Sequence, residues 1–259
     1  MLDAQVLLAH VMERPRSWIL AHPEVPLTRT QESTLENLIS RIEAGEPLPY
    51  LLGRWEFFGL NFNISSETLI PRPETELLVE HALDWIKMHP PINWAADIGT
   101  GSGCIAVALA HHASHIHVLA ADISLPALRV ARSNAEKHGV ERRVHFIQSD
   151  LLPHTAECFN LICANLPYIP NQILASIKVV EWEPLQALNG GKDGTKIIHR
   201  FIQTSPNHLS RNGLLLLEID PSQAQSLLPI IQSVHPQAKV DFLMDLAGHQ
   251  RIVSIQLND

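Results

Sequence analysis

WAADIGTGSGCIAVALAHH, residues 94–112, is the stretch that decides the fold. Its first part predicts a buried strand and its last part predicts a helix, so the glycines between them lie in a strand-to-helix turn. Gly99, Gly101 and Gly103 let the backbone turn sharply and approach a ligand closely. Their G-x-G-x-G spacing differs from the G-x-G-x-x-G fingerprint of dinucleotide-binding proteins. Asp97 immediately before the glycines suits a cationic or hydroxyl-rich ligand better than a pyrophosphate, although the loop alone is also compatible with a plain tight turn.

Strands and helices alternate along the chain around this loop. The predicted strands are WAADIG (94–99), HIHVLAADI (115–123), RVHFIQSD (143–150), FNLICAN (159–165), GLLLLEID (213–220), KVDFLM (239–244) and RIVSIQL (251–257). Helical segments separate most of them, which predicts an α/β fold with a doubly wound, mostly parallel sheet. The last two strands follow one another closely and are predicted to form an antiparallel edge, which gives seven strands in total.

The first 72 residues carry a different pattern. Apolar residues recur at three- and four-residue spacing up to about residue 45, which predicts helices. GEPLPYLLG (45–53) is predicted to be a connector, and WEFFGLNFNI (55–64) alternates as a short hairpin does. The sequence therefore predicts a small helical domain at residues 1–54, a linking hairpin at 55–72 and the α/β domain at 73–259.

Charge and cysteine content restrict the classes of function. The net charge is −8 with histidine neutral, and the 19 basic residues are scattered rather than gathered on one stripe. This argues against nucleic acid as the main partner, although a local basic patch is still allowed. The 3 cysteines form no C-x-x-C pair, which argues against a disulfide framework and favours a reducing, cytoplasmic location.

Membrane and metal functions are also disfavoured. The sequence has no run of about 18 apolar residues and no apparent secretory leader, so neither a membrane partner nor export is expected. HHASHIH (111–117) brings histidines together, but no acidic residue follows before Asp122 to support a metal site. A solvated helix end is the better interpretation, and no metal is expected.

Further polar residues follow the second, third and fourth strands of the predicted sheet. Asp122 ends the second strand, where a carboxylate can accept hydrogen bonds from both hydroxyls of a ribose. SDL (149–151) follows the third strand, where it can meet an adenine base, and ANLPY (164–168) follows the fourth. Because ligands of open α/β sheets bind at the carboxyl ends of the strands, these turns are expected to converge on one crevice.

This ordered set of motifs resembles the class I S-adenosylmethionine-dependent methyltransferases. A closer resemblance is to the protein-(glutamine-N5) methyltransferases of peptide chain release factors, the HemK/PrmC family. It is carried by LIPRPETE (69–76), DIGTGSGCIAVALA (97–110), ADIS-x-x-AL (121–128), NLPYI (165–169) and EPLQALNGGKDG (183–194). The resemblance covers nearly the whole chain, from DAQVLLAHV near the start to GHQRIV near the end.

The resemblance implies an enzyme that methylates the glutamine of the Gly-Gly-Gln motif in class 1 release factors, with a helical N-terminal domain that helps to dock the factor. A cytoplasmic monomer that converts S-adenosyl-L-methionine to S-adenosyl-L-homocysteine is expected. The implied cofactor-binding residues are Asp97, Gly99, Thr100, Gly101, Ser102, Gly103, Asp122, Ile123, Asp150, Leu151 and Asn165.

The family's Asn-Pro-Pro-Tyr motif corresponds to Asn165, Leu166, Pro167 and Tyr168, which are the implied catalytic and substrate-binding residues. We expect the side-chain oxygen of Asn165 and the carbonyl of Leu166 each to accept one N–H of the substrate amide. Arg72 and Glu74 are further candidates for binding the substrate, but an ordinary helix start at Pro73 also accounts for them. Glu218, at the end of the fifth strand, is a candidate of the same kind.

Three departures from the family pattern stand out. Leu166 replaces the usual proline, which is tolerable if the position acts through its backbone carbonyl. Asp220 in EIDPSQ (218–223) replaces the usual glycine, with no evident consequence from the sequence. The helical domain is expected to begin about one helix late, which concerns docking more than chemistry.

Three other functions are compatible with parts of the pattern. An N6-adenine or other nucleic-acid amino-methyltransferase uses a similar tetrapeptide, but the acidic net charge and the lack of a basic recognition segment disfavour it. A non-catalytic S-adenosylmethionine-binding module is disfavoured by the presence of both the glycine loop and Asn165. A nicotinamide-dependent oxidoreductase is disfavoured by the glycine spacing.

Overall fold

The chain consists of two compact units, residues 1–55 and 56–259. The structure is a computed structural model that describes residues 2–89, 92–153 and 158–257. The predicted domain ranges 1–54 and 73–259 therefore include some residues that lie outside the described ones. We describe each unit by itself.

The N-terminal unit is helical and has its own small core. Its helices are α1 (Leu2–Val11), α2 (Arg16–Ala21), α3 (Arg29–Glu43) and α4 (Leu48–Leu52). Leu7, Leu38 and Leu51 form the buried centre of this core. Thr28 begins α3 with a capping box, because its hydroxyl accepts from Gln31 N while the Gln31 side chain accepts from Thr28 N.

The prediction of a connector at residues 45–53 is wrong over Leu48–Leu52, which form α4. Proline in the first turn and Gly53 in a left-handed conformation at the end are ordinary helix boundaries. The density of glycine and proline therefore reflected the two ends of a short helix. Burial of Leu51 in the core stabilises a segment that is too short to be helical alone.

A hairpin follows, formed by β1 (Arg54–Phe57) and β2 (Leu60–Asn63). Its turn lies in the second unit, where the carboxylate of Glu76 accepts a 2.7 Å hydrogen bond from the backbone N–H of Phe58. At the other end of β2, Asn63 N donates to the side-chain oxygen of Asn134 at 2.7 Å. The acidic residue Glu76 thus anchors the hairpin.

The second unit alternates helices and strands. Its first half contains α5 (Pro73–Met88), β3 (Trp94–Ile98), α6 (Cys104–His112), β4 (His117–Asp122), α7 (Leu125–Lys137), β5 (Val144–Gln148) and β6 (Phe159–Ala164). Its second half contains β7 (Ile169–Pro170), α8 (Asn171–Leu174), α9 (Leu185–Leu188), β8 (Asn189–Gly191), α10 (Lys196–Thr204), β9 (Leu209–Glu218), α11 (Ala224–Val234), β10 (Lys239–Met244) and β11 (Gln250–Gln256). The 3-10 helices in the described part of this unit are Lys178–Glu181, Ser205–Asn207 and Pro221–Gln223.

The main sheet confirms the predicted doubly wound architecture. Within the described residues it has 7 strands in the order β10-β11-β9-β6-β3-β4-β5; β11 runs antiparallel to both of its neighbours, and the other pairings are parallel. The chain moves outward from β3 to β5 and then returns to the other side of β3 as β6. The crevice where the strand order reverses lies at the carboxyl ends of β3 and β6, which is the usual ligand position in such sheets.

Apolar strands and helices bury this sheet on both faces. Ile98, Ile162, Leu215 and Leu217 are among the core residues on the central strands, and Phe201 of α10 packs into the same core. Helix α6 is buried from Cys104 to Ala110, so its small alanines allow close packing. No helix within the described residues is both long enough and apolar enough to cross a membrane.

Candidate active site

One cavity of about 530 Å³ opens at the carboxyl ends of the parallel strands. It brings together residues that follow β3, β4, β5 and β6. The predicted site residues that line it are Gly99, Gly101, Asp122, Ile123, Asp150, Leu151, Asn165, Leu166 and Pro167. The size is that of a typical small-molecule site.

The glycine loop after β3 shapes one wall of this cavity. Gly99 has a φ of +76°, and a Cβ there would lie 3.0 Å from Leu166 Cδ2 and 3.2 Å from the carbonyl oxygen of Asn165. Gly103 has a φ of +80°, and its Cβ would lie 2.9 Å from that of Ala131 in α7. Glycine is therefore required at both positions by conformation and by space.

The other loop residues hold the turn rather than line the cavity. Thr100 N donates to Ala121 O at 3.0 Å, and the Thr100 hydroxyl donates to Asp97 Oδ2 at 2.6 Å. The carbonyl of Ser102 accepts from Asn134 Nδ2 at 2.8 Å. Among the described residues, Gly99 and Gly101 are the loop positions that line the cavity.

Asp97 lies beneath the loop and is fully buried. Its Oδ2 also accepts from Ala106 N at 3.1 Å, whereas its Oδ1 is buried without a hydrogen-bond partner among the described residues. Burial raises the pKa of Asp97 to about 7, despite the opposing hydrogen bonds from Thr100 and Ala106. A buried acceptor without a partner is costly, so this oxygen is suited to a donor supplied by a ligand.

Asp122 lines the cavity at the end of β4. Its two carboxylate oxygens accept backbone hydrogen bonds of 2.8 Å from Gly101 and Ser124, respectively. Burial raises the pKa of Asp122, and those backbone donors oppose the shift. Each oxygen keeps a lone pair for a further donor, so the fixed carboxylate can bind two neighbouring hydroxyl groups.

The turn after β5 is more exposed. Asp150 forms a 2.7 Å ion pair with Arg200, and both side chains are about half exposed. Leu151 has a φ of +68°, an unusual conformation for a residue with a branched side chain. Residues held in such conformations often belong to binding sites.

Asn165 also lines the cavity and is part of a buried chain of hydrogen bonds. Its Nδ2 donates to the hydroxyl of Thr75 at 3.1 Å, and that hydroxyl donates to Glu218 Oε2 at 2.7 Å. Tyr168 donates from its hydroxyl to Glu218 Oε1 at 3.3 Å. The structure thus joins the two ends of the Asn165–Tyr168 segment through one carboxylate.

Thr75 is a member of this chain that sequence reasoning missed. It lies between Glu74 and Glu76 in the first turn of α5, where acidic residues are ordinary because they favour a helix start. Only the packing of α5 against β6 and β9 brings its hydroxyl to Glu218. No pattern in the local sequence indicates this hydrogen bond between Thr75 and Glu218.

Burial also shifts the pKa values of the side chains joined by these hydrogen bonds. It raises the pKa of Glu218 to about 7, although the donors Thr75 and Tyr168 oppose the shift. The pKa of the Tyr168 hydroxyl is raised by burial and by the adjacent Glu218. The tyrosine is therefore a neutral donor at physiological pH.

The backbone of Tyr168 is held from a second direction, and here Asp220 acquires a structural role. Asp220 caps the 3-10 helix Pro221–Gln223, because its carboxylate accepts from Ser222 N and its N–H donates to Gln223 Oε1. The other end of that glutamine amide donates to the carbonyl of Tyr168 at 3.0 Å. Gly194 packs on the same carbonyl, with which any Cβ would collide.

Arg72 and Glu74 occupy the start of α5. Arg72 donates to Glu183 Oε1 at 2.5 Å, and Glu183 Oε2 accepts from Ile70 N. Because Glu183 is buried, this pair fixes residues 70–72 against the segment that precedes Pro184, which lines the cavity. Glu74 is half-buried and close enough to Glu218 to raise the pKa of that carboxyl.

The histidine-rich segment lies away from the cavity. His111 and His112 end α6, and the ring of His117 pairs with that of His145 at 3.0 Å. Among the described residues, no group of three or more His, Cys, Asp or Glu side chains is arranged to hold a metal ion.

Comparison with known proteins now adds to this geometry. Residues 1–53 match the PrmC N-terminal domain family, and residues 73–235 match the Methyltransferase small domain family. The chain is 37% identical over 262 residues to a release factor glutamine methyltransferase of Rhodopirellula baltica, covering 98% of this chain and 88% of that protein. It is 34% identical over 260 residues to one of Bacillus anthracis, covering 98% and 91%.

A solved structure shares the fold. The ribosomal protein L11 methylase of Lactobacillus delbrueckii subsp. bulgaricus superposes with a TM-score of 0.56 at 21% identity, covering 76% of this chain and 84% of that one. At this identity the likeness concerns the fold alone.

Proposed function

The chain belongs to the release factor glutamine methyltransferase family, and we propose that it methylates the N5 amide nitrogen of the Gly-Gly-Gln glutamine in class 1 peptide chain release factors. The observation that carries this proposal is the arrangement of one cavity. The glycine loop after β3, Asp122 and Asn165 all line this cavity, and Asp97 lies buried beneath the loop. A methyl donor and an amide acceptor can therefore meet in it.

The residues present fit S-adenosyl-L-methionine as the methyl donor. The unpartnered Oδ1 of Asp97 suits an ammonium group, and Asp122 suits the two ribose hydroxyls. Asp150 and Leu151 would lie along the adenine. When bound, this cofactor supplies an electrophilic methyl group on a sulfonium.

The amide nitrogen of glutamine is a poor nucleophile, because its lone pair is delocalised into the carbonyl. Asn165 Oδ1 and the Leu166 carbonyl each accept one N–H, which stabilises positive charge developing on the nitrogen and aims its lone pair at the methyl group. The Tyr168 ring packs against the amide plane. Positioning of this kind can supply roughly 7–11 kcal/mol in favourable cases.

Transfer forms a carbon–nitrogen bond and breaks the carbon–sulfur bond, whose electron pair stays on sulfur. The glutamine nitrogen then loses one proton to water, so no side chain of the protein acts as a general base. Arg72 and Glu74 contribute to the rim that receives the peptide, with Arg72 fixed by Glu183. A reducing cytoplasm is the location that suits the three free cysteines.

The test is transfer of a labelled methyl group to recombinant release factor, beside a factor whose Gly-Gly-Gln glutamine is replaced by alanine. We expect label on the first protein only, and loss of about 100-fold or more in kcat for Asn165→Ala. Equal labelling of both factors, or of neither, would contradict the proposal. Labelling of nucleic acid in a parallel reaction would instead support an amino-methyltransferase acting on bases.

A further inference from the structure

The chain of hydrogen bonds from Glu218 to Asn165 runs in one direction. Thr75 and Glu218 are 2% and 1% exposed, so water does not compete for these groups. The Thr75 oxygen lies 2.7 Å from Glu218 Oε2 and 3.1 Å from Asn165 Nδ2. Among the described residues, Thr75 is the link between the carboxylate and the amide.

Elementary hydrogen-bond chemistry sets that direction. A carboxylate only accepts hydrogen bonds, and a threonine hydroxyl has a single proton to donate. Because Thr75 gives its proton to Glu218, its oxygen is left to accept from the amide nitrogen of Asn165. The amide oxygen is then the branch that does not face Thr75, and Asn165 is one of the residues that line the cavity.

The reverse orientation of the amide is unfavourable while Glu218 is ionised. It would place Asn165 Oδ1 against the Thr75 oxygen with no proton between them. It would also present an NH₂ group to the cavity, where a substrate amide likewise offers N–H donors. A buried polar pair without a proton between its two acceptors is unfavourable.

We propose that Glu218, acting through Thr75, fixes the Asn165 amide with its oxygen facing the cavity, which makes Thr75 and Glu218 positioning residues for the substrate glutamine. The inference rests on the proposed function for its consequence in turnover. It concerns the orientation of one side chain, and this orientation can be measured without turnover. Neither Thr75 nor Glu218 needs to touch the substrate.

Protonation of Glu218 would undo this orientation. A protonated carboxyl can donate to Thr75, whose own proton then becomes available to Asn165 Oδ1, so the amide can turn over. The charged and titratable groups around Glu218 are Glu74 on α5, the Cys104 thiol on α6, Arg251 on β11 and the Tyr168 hydroxyl. Glu74 favours protonation and Arg251 opposes it, while burial raises the pKa of Glu218 to about 7. Turnover should therefore rise as pH increases through about 7.

The kinetic experiment compares Thr75→Val, which keeps the side-chain shape without the hydroxyl, with Thr75→Ser, which keeps the hydroxyl. We expect the valine variant to lose about 100-fold in kcat with an S-adenosylmethionine Kd within about twofold of the unchanged protein. The serine variant should recover most of that loss. Equal kcat for the valine variant and the unchanged protein, or an equal loss in both variants, would overturn the inference.

A second readout does not depend on activity. In ¹⁵N-labelled protein, the Asn165 side-chain NH₂ signal is identified by its absence from an Asn165→Asp variant. We expect this signal to shift with a midpoint near pH 7 in the unchanged protein and to stay constant in Glu218→Gln. A constant signal in both proteins would refute the role of Glu218 in fixing the Asn165 amide. If the signal behaves as expected but no release factor is methylated, the proposed function fails while this role of Glu218 stands.

Discussion

Asp97 at the end of β3 and Glu218 at the end of β9 are two buried carboxyl groups whose surroundings differ. Burial raises the pKa of both to about 7. Each oxygen of Glu218 has a donor from the protein, whereas Asp97 Oδ1 has none among the described residues. Glu218 therefore holds other side chains of the protein in place, whereas Asp97 has an oxygen that can accept a hydrogen bond from a ligand.

The largest effect is expected from Asp97→Asn. The substitution keeps the shape but can place an NH₂ group where the unpartnered oxygen lies, so S-adenosylmethionine affinity should fall about 100-fold. Calorimetric titration measures this. Glu218→Gln should leave the same affinity within about threefold, because both oxygens of that carboxyl have donors from the protein and Glu218 is absent from the cavity lining.

The matched control is Asp241→Asn, an exposed acidic position on the edge strand β10. It should bind the cofactor like the unchanged protein. Equal losses of affinity in Asp97→Asn and Glu218→Gln would break the distinction between the two carboxylates.

A second, smaller effect is expected from Gly194→Ala. It acts on the residues around Glu218 and Tyr168, the β9 side of the site, and not on Asp97 and the glycine loop, the β3 side. A Cβ at this position would collide with the Tyr168 carbonyl and lie 2.6 Å from Gln223 Nε2, at a φ of +81°. We expect a loss of about 3 kcal/mol in the free energy of unfolding and about 30-fold in kcat, with little change in cofactor affinity. Urea unfolding and methyl transfer measure the two.

Gly139→Ala provides the matched control, because its φ is +67° but nothing lies within 4 Å of the added Cβ. It should lose only about 1–2 kcal/mol for the left-handed conformation and keep its kcat. If both variants behaved alike, the packing of Gly194 against Tyr168 would have no special role.

The next effect is the pH dependence of cofactor binding. Because the folded pKa of Asp97 is raised above the ordinary value, the folded protein binds more protons, and its ligand-free stability should fall as pH rises from about 4 to about 7. Cofactor affinity should move in the opposite sense, rising by up to about tenfold between pH 6 and 7.5 as Asp97 ionises. Titrations at several pH values measure it.

In Asp97→Asn this pH dependence should be lost, whereas Glu218→Gln should retain it. If the pH dependence were instead lost in Glu218→Gln and kept in Asp97→Asn, Glu218 rather than Asp97 would be the carboxylate that binds the cofactor. The roles assigned to the two carboxylates would then have to be exchanged.

Much of the β3 side could be predicted from the sequence. A strand, a glycine loop and an acidic residue lie within a few positions of one another, so local patterns place Asp97 and Gly99 together. Alternation of strands and helices then fixes the mostly parallel sheet, and parallel strands bring Asp122 and Asn165 to the same edge. These predictions need only short-range patterns and one topological rule.

Much less of the β9 side could be predicted from the sequence. Thr75, Glu183 and Gln223 reach their partners across 143, 111 and 55 residues of sequence, and no local pattern indicates such pairs. The short β7 and β8 were also missed, because proline and glycine normally indicate loops. Tertiary packing decides these features, including the cap formed by Asp220.

The smallest effect is expected where the two sides meet, at Leu166. Its side chain is 3% exposed and packs on Gly99, while its carbonyl is the group that we assign to the substrate. Leu166→Pro keeps that carbonyl and most of the apolar contact. It should lower kcat by no more than about threefold and the free energy of unfolding by about 1–2 kcal/mol, as measured by methyl transfer and urea unfolding.

Leu166→Ala separates packing from chemistry. It also keeps the carbonyl but leaves a cavity against Gly99, so it should destabilise the protein by about 2–4 kcal/mol, which is more than proline does. If Leu166→Pro lost more than tenfold in kcat while its unfolding free energy was nearly unchanged, the leucine side chain rather than its carbonyl would set the geometry. The position of the substrate amide would then depend on how Leu166 packs against the glycine loop. The β3 side would in that case position the methyl acceptor as well as the methyl donor.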